Sequence, residues 1–161
     1  MVAYSFQKRF IEPIRTGAKR HTIRNERTGR ARHARPGEPV QLYFGLRTRH
    51  CSLIAAPLCE AVWPIRIDLE ADGFGGQAIR IGGPLDAVQG IPDGSDPDAF
   101  AVSDGFQDWS DMAAFWRKHH PGVIVFEGVL IRWVEIQPSE FAPLSRRRGA
   151  QIDMFEAEVR P

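Results

Sequence analysis

The residues best suited to chemistry lie close together near the N-terminus, in the segment from Arg9 to Arg24. Lys19 and Thr22 are three residues apart here, and a lysine near a threonine can act as the base that activates a hydroxyl nucleophile. Arg20 and Arg24 flank the pair, and guanidinium groups bind phosphates and planar polar ligands. The segment therefore predicts binding to, or chemistry on, a nucleotide or RNA.

The distribution of charge supports an anionic partner. Net charge is only +1, but residues 1–50 hold 12 Lys or Arg and 3 Asp or Glu, whereas residues 51–131 hold 4 basic and 12 acidic residues. A solvated basic face is one interpretation of this asymmetry. A positive surface that faces an anionic ligand is the interpretation we favour, although charge alone does not distinguish RNA, DNA and a free nucleotide.

Length and composition limit the class of protein. A chain of 161 residues, 43% of them hydrophobic, suits one globular domain. No apolar run is long enough to span a bilayer, and the first residues lack a signal-peptide pattern, so we expect a cytoplasmic protein without membrane contact. The sequence leaves its oligomeric state open.

Metal and cofactor chemistry is not predicted. Cys51 and Cys59 lack CxxC spacing and are expected to be reduced thiols. The adjacent His119 and His120 make a poor ligand pair, and no spaced set of His, Cys and acidic residues points to a metal. There is no Walker loop or GxGxxG sequence, so we expect no cofactor.

Apolar periodicity predicts short strands separated by a few helices. A short helix is expected to end at Gly17, and further helices to begin near Asp96 and near Trp109, where either Asp108 or Ser110 is the cap. Strands are expected over residues 2–6, 19–24, 40–44, 53–62 (with a bulge or edge at Pro57), 78–81 and 123–134. Because βαβ alternation is absent, the predicted class is α+β.

A family resemblance follows from the N-terminal segment. The order Arg9-Phe10, Ile14, Gly17, Lys19 and Thr22-Ile23-Arg24 resembles the ASCH domain, a branch of the PUA-like RNA-binding folds. Weaker similarities at residues 36–40, 104–106 and 121–122 extend the resemblance over roughly residues 4–134. It implies a small mixed β-barrel with two or three helices. The domain would cover residues 1–134, and residues 135–161 would be an extension that packs on it or on a partner, with Arg146, Arg147 and Arg148 within it.

The resemblance also implies a catalytic set. Similar bacterial proteins of the N4-acetylcytidine amidohydrolase type use a lysine, a threonine and a glutamate. Lys19 and Thr22 match two of these positions, and Asp104 is the nearest candidate for the third, with a side chain one methylene shorter. Residues three apart on a regular strand face opposite sides, so Lys19 must lie in the turn after Gly17, or a bulge must intervene.

Three functions are consistent with these residues. Binding of RNA or a nucleotide is the first, and its expected ligand contacts are Gln7, Arg9, Arg20, Arg24, Tyr43 and Phe106. The alternative is a metal-independent amidohydrolase acting on an acylated cytidine, with Thr22 as nucleophile and Lys19 as base. The third is a ribonuclease using Lys19 with Tyr43 or His21. The expected partner in each case is RNA or a modified nucleoside.

Overall fold

A computed structural model describes residues 2–27, 32–71, 77–82 and 94–142. These residues form an α+β fold, which confirms the predicted class. The strands are β1 Val2–Phe6, β2 His21–Arg24, β3 Val40–Phe44, β4 Ser52–Ala55, β5 Cys59–Asp68, β6 Ile79–Ile81 and β7 Val125–Trp133. The helices are α1 Ile11–Arg15, α2 Pro97–Ser103 and α3 Trp109–His119, with 3-10 turns at Lys8–Phe10 and Pro138–Glu140.

The described strands form two sheets. One has the order β1-β3-β4, with β1 parallel to β3, and the other is antiparallel with the order β2-β7-β5-β6. Neither sheet closes into a barrel, so the small mixed β-barrel that the resemblance implies is not formed by the described strands. The edge strands β1 and β2 are linked through a side chain, because Arg24 Nη2 donates to the carbonyl oxygen of Ser5 at 2.8 Å.

Two predicted strands differ from the observed ones for local reasons. The predicted strand over residues 53–62 is two strands in different sheets, because the chain turns a corner at Ala56 and Pro57. Proline has no N–H to donate to a ladder, whereas its carbonyl still accepts a bond from Val40 N at 2.8 Å. The strand expected from residue 19 begins only at His21.

The capping residues of the two longer helices explain where these helices begin. Asp96 accepts a hydrogen bond from Ala99 N, and Pro97 occupies the first turn of α2, as predicted. Of the two candidates for the cap of α3, Asp108 is the one observed, since its carboxylate accepts from Asp111 N at 2.8 Å. Each of the two helices therefore begins at an aspartate whose side chain caps it, and this residue type is a helix-start signal in the sequence.

The core lies between the sheets and the helices. Its largest fully buried side chains include Trp133 and Leu130 of the central strand β7, Tyr4 of β1 and Phe100 of α2. His21 of β2 is also fully buried, and its ring centroid lies 5.3 Å from that of Phe100. Helix α2 thus covers β2, which brings the end of this helix next to the N-terminal segment.

The start of the C-terminal extension contacts the domain. Ala142 N donates to Ile54 O at 3.0 Å, and Arg15 Nη2 donates to Ala142 O at 3.0 Å. The rest of the extension, including Arg146, Arg147 and Arg148, lies outside the described residues. Among the described helices, none has the length and apolar character that crossing a membrane requires.

We predict that Asp108→Ala will lower the free energy of unfolding by about 0.5–2 kcal/mol, because α3 loses its N-cap. Ser110→Ala is the matched control, since Ser110 is exposed and is not the cap. Chemical denaturation of the two variants measures the difference. A loss of stability in Ser110→Ala equal to that in Asp108→Ala would contradict the assignment.

Candidate active site

The turn between α1 and β2 places Lys19. Gly17, at φ +77°, follows the end of α1, and Lys19 N then donates to Pro13 O at 2.8 Å. Lys19 therefore precedes β2, while Thr22 lies within it. Of the two geometries considered for a pair three residues apart, the structure shows the turn, which frees Lys19 from the alternation of the strand.

Lys19 forms a buried ion pair with Asp104, the residue that caps the C-terminal end of α2. Only 2% of Lys19 and 5% of Asp104 is exposed. The ammonium donates to Asp104 Oδ1 and also to Asp104 O at 2.7 Å, and it lies 4.9 Å from the centre of the Phe10 ring. One residue thus supplies two acceptors to Lys19, and the aromatic ring supplies a third favourable contact.

Burial moves both members of the pair toward their neutral forms. Desolvation lowers the pKa of Lys19, while the attraction of Asp104 opposes this shift. Desolvation likewise raises the pKa of Asp104, and Lys19 and Arg24 oppose that shift. A neutral lysine is consequently more accessible here than at the surface, which is the condition for a lysine to act as a base.

His21 is the buried neighbour of this pair. Its Nε2 atom lies 3.3 Å from Asp104 Oδ1 but makes no hydrogen bond to a described residue. Desolvation lowers the pKa of His21 well below its usual value, and the charges of Lys19 and Arg132 add to the effect. His21 is therefore a buried core residue, although the ribonuclease hypothesis gave it a catalytic role.

Thr22 lies with Lys19 and Asp104 in the lining of one cavity of about 260 Å³. The cavity also takes in Ser5 and Phe6 of β1, so it occupies the gap between the two sheet edges. Thr22 is only 3% exposed, and its hydroxyl makes no hydrogen bond within the described part of the chain. A threonine that lines the same cavity as a buried lysine is suited to nucleophilic chemistry.

Three of the residues expected to contact ligand also line this cavity: Gln7, Arg24 and Phe106. Arg24 donates to Ser5 O and Ile23 O and lies over the ring of Phe6 at 5.2 Å, so its guanidinium is held from several sides. Guanidinium groups have five N–H donors, and donors remain for a ligand after these two bonds.

The other three expected ligand contacts do not line the cavity. Arg9 pairs with Asp111, and its guanidinium carbon lies 4.9 Å from the centre of the Phe106 ring. Arg9 therefore contacts a residue that lines the cavity without lining it itself. Arg20 lies 3.7 Å from Glu135, and Tyr43 lies within the sheet, opposite Ser5 of β1. The basic run and the aromatic character of these residues suggested ligand contact, but their neighbours in the fold direct them elsewhere.

Helix α3 and its C-cap residue supply lining residues that the sequence interpretation missed: Phe115, Trp116, His119 and, as the cap, His120. Phe115 forms edge-to-face contacts with Phe106 and Phe10, at ring-centroid distances of 5.3 and 5.7 Å. His119 Nε2 is 3.3 Å from Gln7 Nε2 across the cavity mouth. The spacing of these residues along α3 is the signal that could have revealed this face.

A larger cavity, of about 510 Å³, lies elsewhere and includes Arg66 and Glu127 in its lining. These two form an exposed ion pair at 2.8 Å, whereas the ion pair of the smaller cavity is buried. Among the described residues, no group of three or more His, Cys, Asp or Glu is placed to hold a metal ion.

Comparison of the chain with protein-family models, with curated proteins and with solved structures finds no match. The resemblance to the ASCH domain therefore rests on the residues of this sequence alone.

We predict that Gly105→Ala will impair both folding and any reaction that depends on Lys19. A Cβ at Gly105 would lie 3.2 Å from Pro13 Cβ, which is tighter than ordinary packing, and 3.4 Å from Lys19 Cδ, so Pro13, whose carbonyl accepts from Lys19 N, would have to shift. Gly122→Ala is the matched control, because its φ of +81° is nearly that of Gly105 at +85° and a Cβ there meets nothing within 4 Å.

Both variants should lose about 1–2 kcal/mol from placing a Cβ in the left-handed region. Denaturation curves and ligand-binding measurements on the two proteins separate this shared cost from displacement of Lys19. If the variants have equal stability and equal affinity for ligand, Gly105 has no special role in packing the ion pair.

Proposed function

We propose that this protein is an amidohydrolase that removes the acyl group from an acylated nucleoside bound between the two sheet edges. The observation that carries the proposal is the convergence of Thr22, Lys19 and Asp104 on one cavity, with the lysine–aspartate pair buried in its wall. Thr22 and Asp104 are 82 positions apart in the sequence, so their meeting is a property of the fold.

The first step activates the nucleophile. A proton moves from Lys19 to Asp104 along their hydrogen bond, which burial favours by lowering one pKa and raising the other. Neutral Lys19 then accepts the hydroxyl proton of Thr22 as the oxygen attacks the acyl carbonyl carbon. Donors of Arg24 that are not engaged with the backbone stabilise the negative charge that develops on the carbonyl oxygen.

The second step releases the amine and then the acid. The C–N bond breaks, Lys19 returns the proton to the leaving nitrogen, and the acyl group remains on Thr22 as an ester. Water attacks the ester carbon and passes a proton through Lys19 to the Thr22 oxygen, which restores the enzyme and frees the carboxylic acid. The balance is one amide and one water converted into one amine and one acid, with no other reactant.

The volume and the lining residues of the cavity favour a ligand of nucleoside size. Its volume of about 260 Å³ lies just below the usual range of small-molecule pockets, about 300–1,000 Å³, so it can enclose one nucleoside unit rather than several. Phe106, Phe115 and Trp116 provide aromatic surface for a planar base. Gln7 and His119 place polar groups at the mouth, where they can select hydrogen-bonding edges.

The resemblance to ASCH amidohydrolases agrees with this proposal, and binding of a nucleotide or of RNA is its broader form. The basic N-terminal third supports an anionic ligand, whichever of these it is. We do not extend the proposal to a ribonuclease, since neither His21 nor Tyr43 is among the residues that line the cavity.

We predict that the purified protein will release acetate from N4-acetylcytidine without added metal, and that Thr22→Ala will lower the rate at least about a hundredfold. Thr22→Ser should recover part of the activity, because it restores a hydroxyl. Thr16→Ala is the matched control, since Thr16 is exposed and bonds only within α1 and its end. Acetate release measured by chromatography gives each rate.

Equal rates for the wild type and Thr22→Ala would exclude Thr22 as nucleophile, and absence of hydrolysis in the wild type would overturn the proposal. Lys19→Met is a weaker test because it leaves Asp104 buried without its partner, a loss that costs about 3–5 kcal/mol in other proteins. Circular dichroism should therefore accompany every rate.

We further predict that Asp104→Asn will abolish hydrolysis and that Asp104→Glu will be slower than the wild type. Lys19 Nζ contacts both the carboxylate and the backbone carbonyl of Asp104, so an extra methylene would displace one acceptor. A misplacement of about 1 Å can cost about a hundredfold in rate. A faster Asp104→Glu enzyme would instead indicate that the aspartate has weakened an ancestral glutamate site, and no effect of either variant would remove Asp104 from the mechanism.

A further inference from the structure

A second cavity adjoins the candidate active site. It has a volume of about 330 Å³ and is lined by Ala3, Tyr4, Ser5, Arg24, Arg27, Leu46 and Arg47. Ser5 and Arg24 line both cavities, so the Arg24 guanidinium forms part of the wall between them. The described lining of the second cavity contains three arginines and no acidic residue.

Within the described ranges none of these three arginines forms an ion pair, whereas five other arginines do. Arg9, Arg20, Arg32, Arg66 and Arg132 each lie near a carboxylate. Arg24, Arg27 and Arg47 have no carboxylate partner within the described ranges. Desolvation is the largest cause that lowers the pKa of Arg24; Asp104 and Tyr4 oppose this shift, and repulsion from the charge of Arg27 adds to it. An anion bound between them would relieve that repulsion.

The surrounding structure holds the arginines around the cavity. Arg24 and Arg27 lie over the ring of Tyr4, at 5.9 and 5.4 Å from its centre. The loop with Arg47 is attached to β1, because Leu46 N donates to Ser5 Oγ at 3.2 Å. Arg47 itself has φ +71°, a conformation that residues other than glycine rarely adopt and that often marks functional positions.

We propose that this second cavity is a phosphate subsite and that the substrate is a nucleotide. The inference rests on the proposed function: the acylated base occupies the first cavity, and a phosphate joined to the same nucleoside is held by Arg24, Arg27 and Arg47. Guanidinium groups bind phosphate oxygens through paired, charge-assisted hydrogen bonds. The phosphate belongs either to a free nucleotide or to an RNA strand, and the two sources share this chemistry.

The test compares ligands that differ only in phosphate. Calorimetry measures the affinity of cytidine, cytidine 5′-monophosphate, cytidine 3′-monophosphate and a short cytidine-containing RNA for the wild type, and acetate release is measured for N4-acetylcytidine and its 5′-monophosphate. Arg47→Ala and Arg27→Ala should lower the affinity for phosphate-bearing ligands about tenfold to a hundredfold and leave the affinity for cytidine unchanged. Arg49→Ala is the matched control, because it removes the same charge from the same loop outside the cavity lining.

A monophosphate should bind more tightly than cytidine to the wild type and to Arg49→Ala, but not to Arg47→Ala. This result supports a subsite that binds the phosphate of a free nucleotide. If only the RNA oligonucleotide shows this pattern, the subsite binds a phosphate of an RNA strand. Equal affinity for cytidine and every phosphate-bearing ligand overturns it, even if N4-acetylcytidine is hydrolysed. If phosphate-bearing ligands bind through the arginines but no acylated ligand is hydrolysed, the subsite is supported and the proposed reaction is wrong.

Discussion

The buried pair of Lys19 and Asp104 is the interaction on which the arrangement of the cavity depends. Moving two charges out of water costs several kcal/mol per ion, and the cost is offset only where the partners are close and well bonded. The turn after α1 and the end of α2 must therefore meet. Their meeting places Gly105 against Pro13 and Lys19, a contact that leaves little space for a side chain.

The position of this pair between two open sheet edges gives it access to a ligand. An edge strand has unpaired backbone groups, which proteins usually cover. Here Arg24 bonds across from β2 to the backbone of β1, and the remaining gap is the cavity. Closure of the strands into a barrel would have filled this space with backbone hydrogen bonds, so the open edges and the candidate site have one structural cause.

Local signals in the sequence predicted the fold well where one or two residues decide the structure. The caps Asp96 and Asp108 and the apolar strand β7 lie where their patterns indicated. The division of residues 53–62 between two sheets could not be predicted in the same way, because Pro57 is compatible with a bulge, an edge or a corner. Which of these forms depends on distant strands that provide the pairing partners.

The candidate site was predictable in part for the same reason. The spacing of Lys19 and Thr22 named the two residues, and the constraint of strand alternation indicated that Lys19 must leave the strand. The contacts of Arg9 and Arg20 could not be predicted, because the sequence around an arginine in a basic run does not show whether it binds a ligand or a carboxylate. In the structure these carboxylates belong to Asp111 and Glu135. Helix α3 was predicted, but its contribution to the cavity lining was missed, because an amphipathic face shows only that something packs there.

The proteins that the N-terminal segment resembles use a glutamate where the proposal places Asp104, and the position of the Asp104 backbone explains how the shorter side chain reaches Lys19. Asp104 caps α2, and its own carbonyl lies 2.7 Å from Lys19 Nζ. With the backbone already this close, a short side chain is sufficient to bring a carboxylate oxygen to the same ammonium. A longer side chain would need either a more distant helix end or a bent rotamer, and the first change would also open the contact with Gly105. The aspartate is thus matched to a tighter approach of α2 to the N-terminal segment, and the departure from the glutamate pattern is compatible with a working pair.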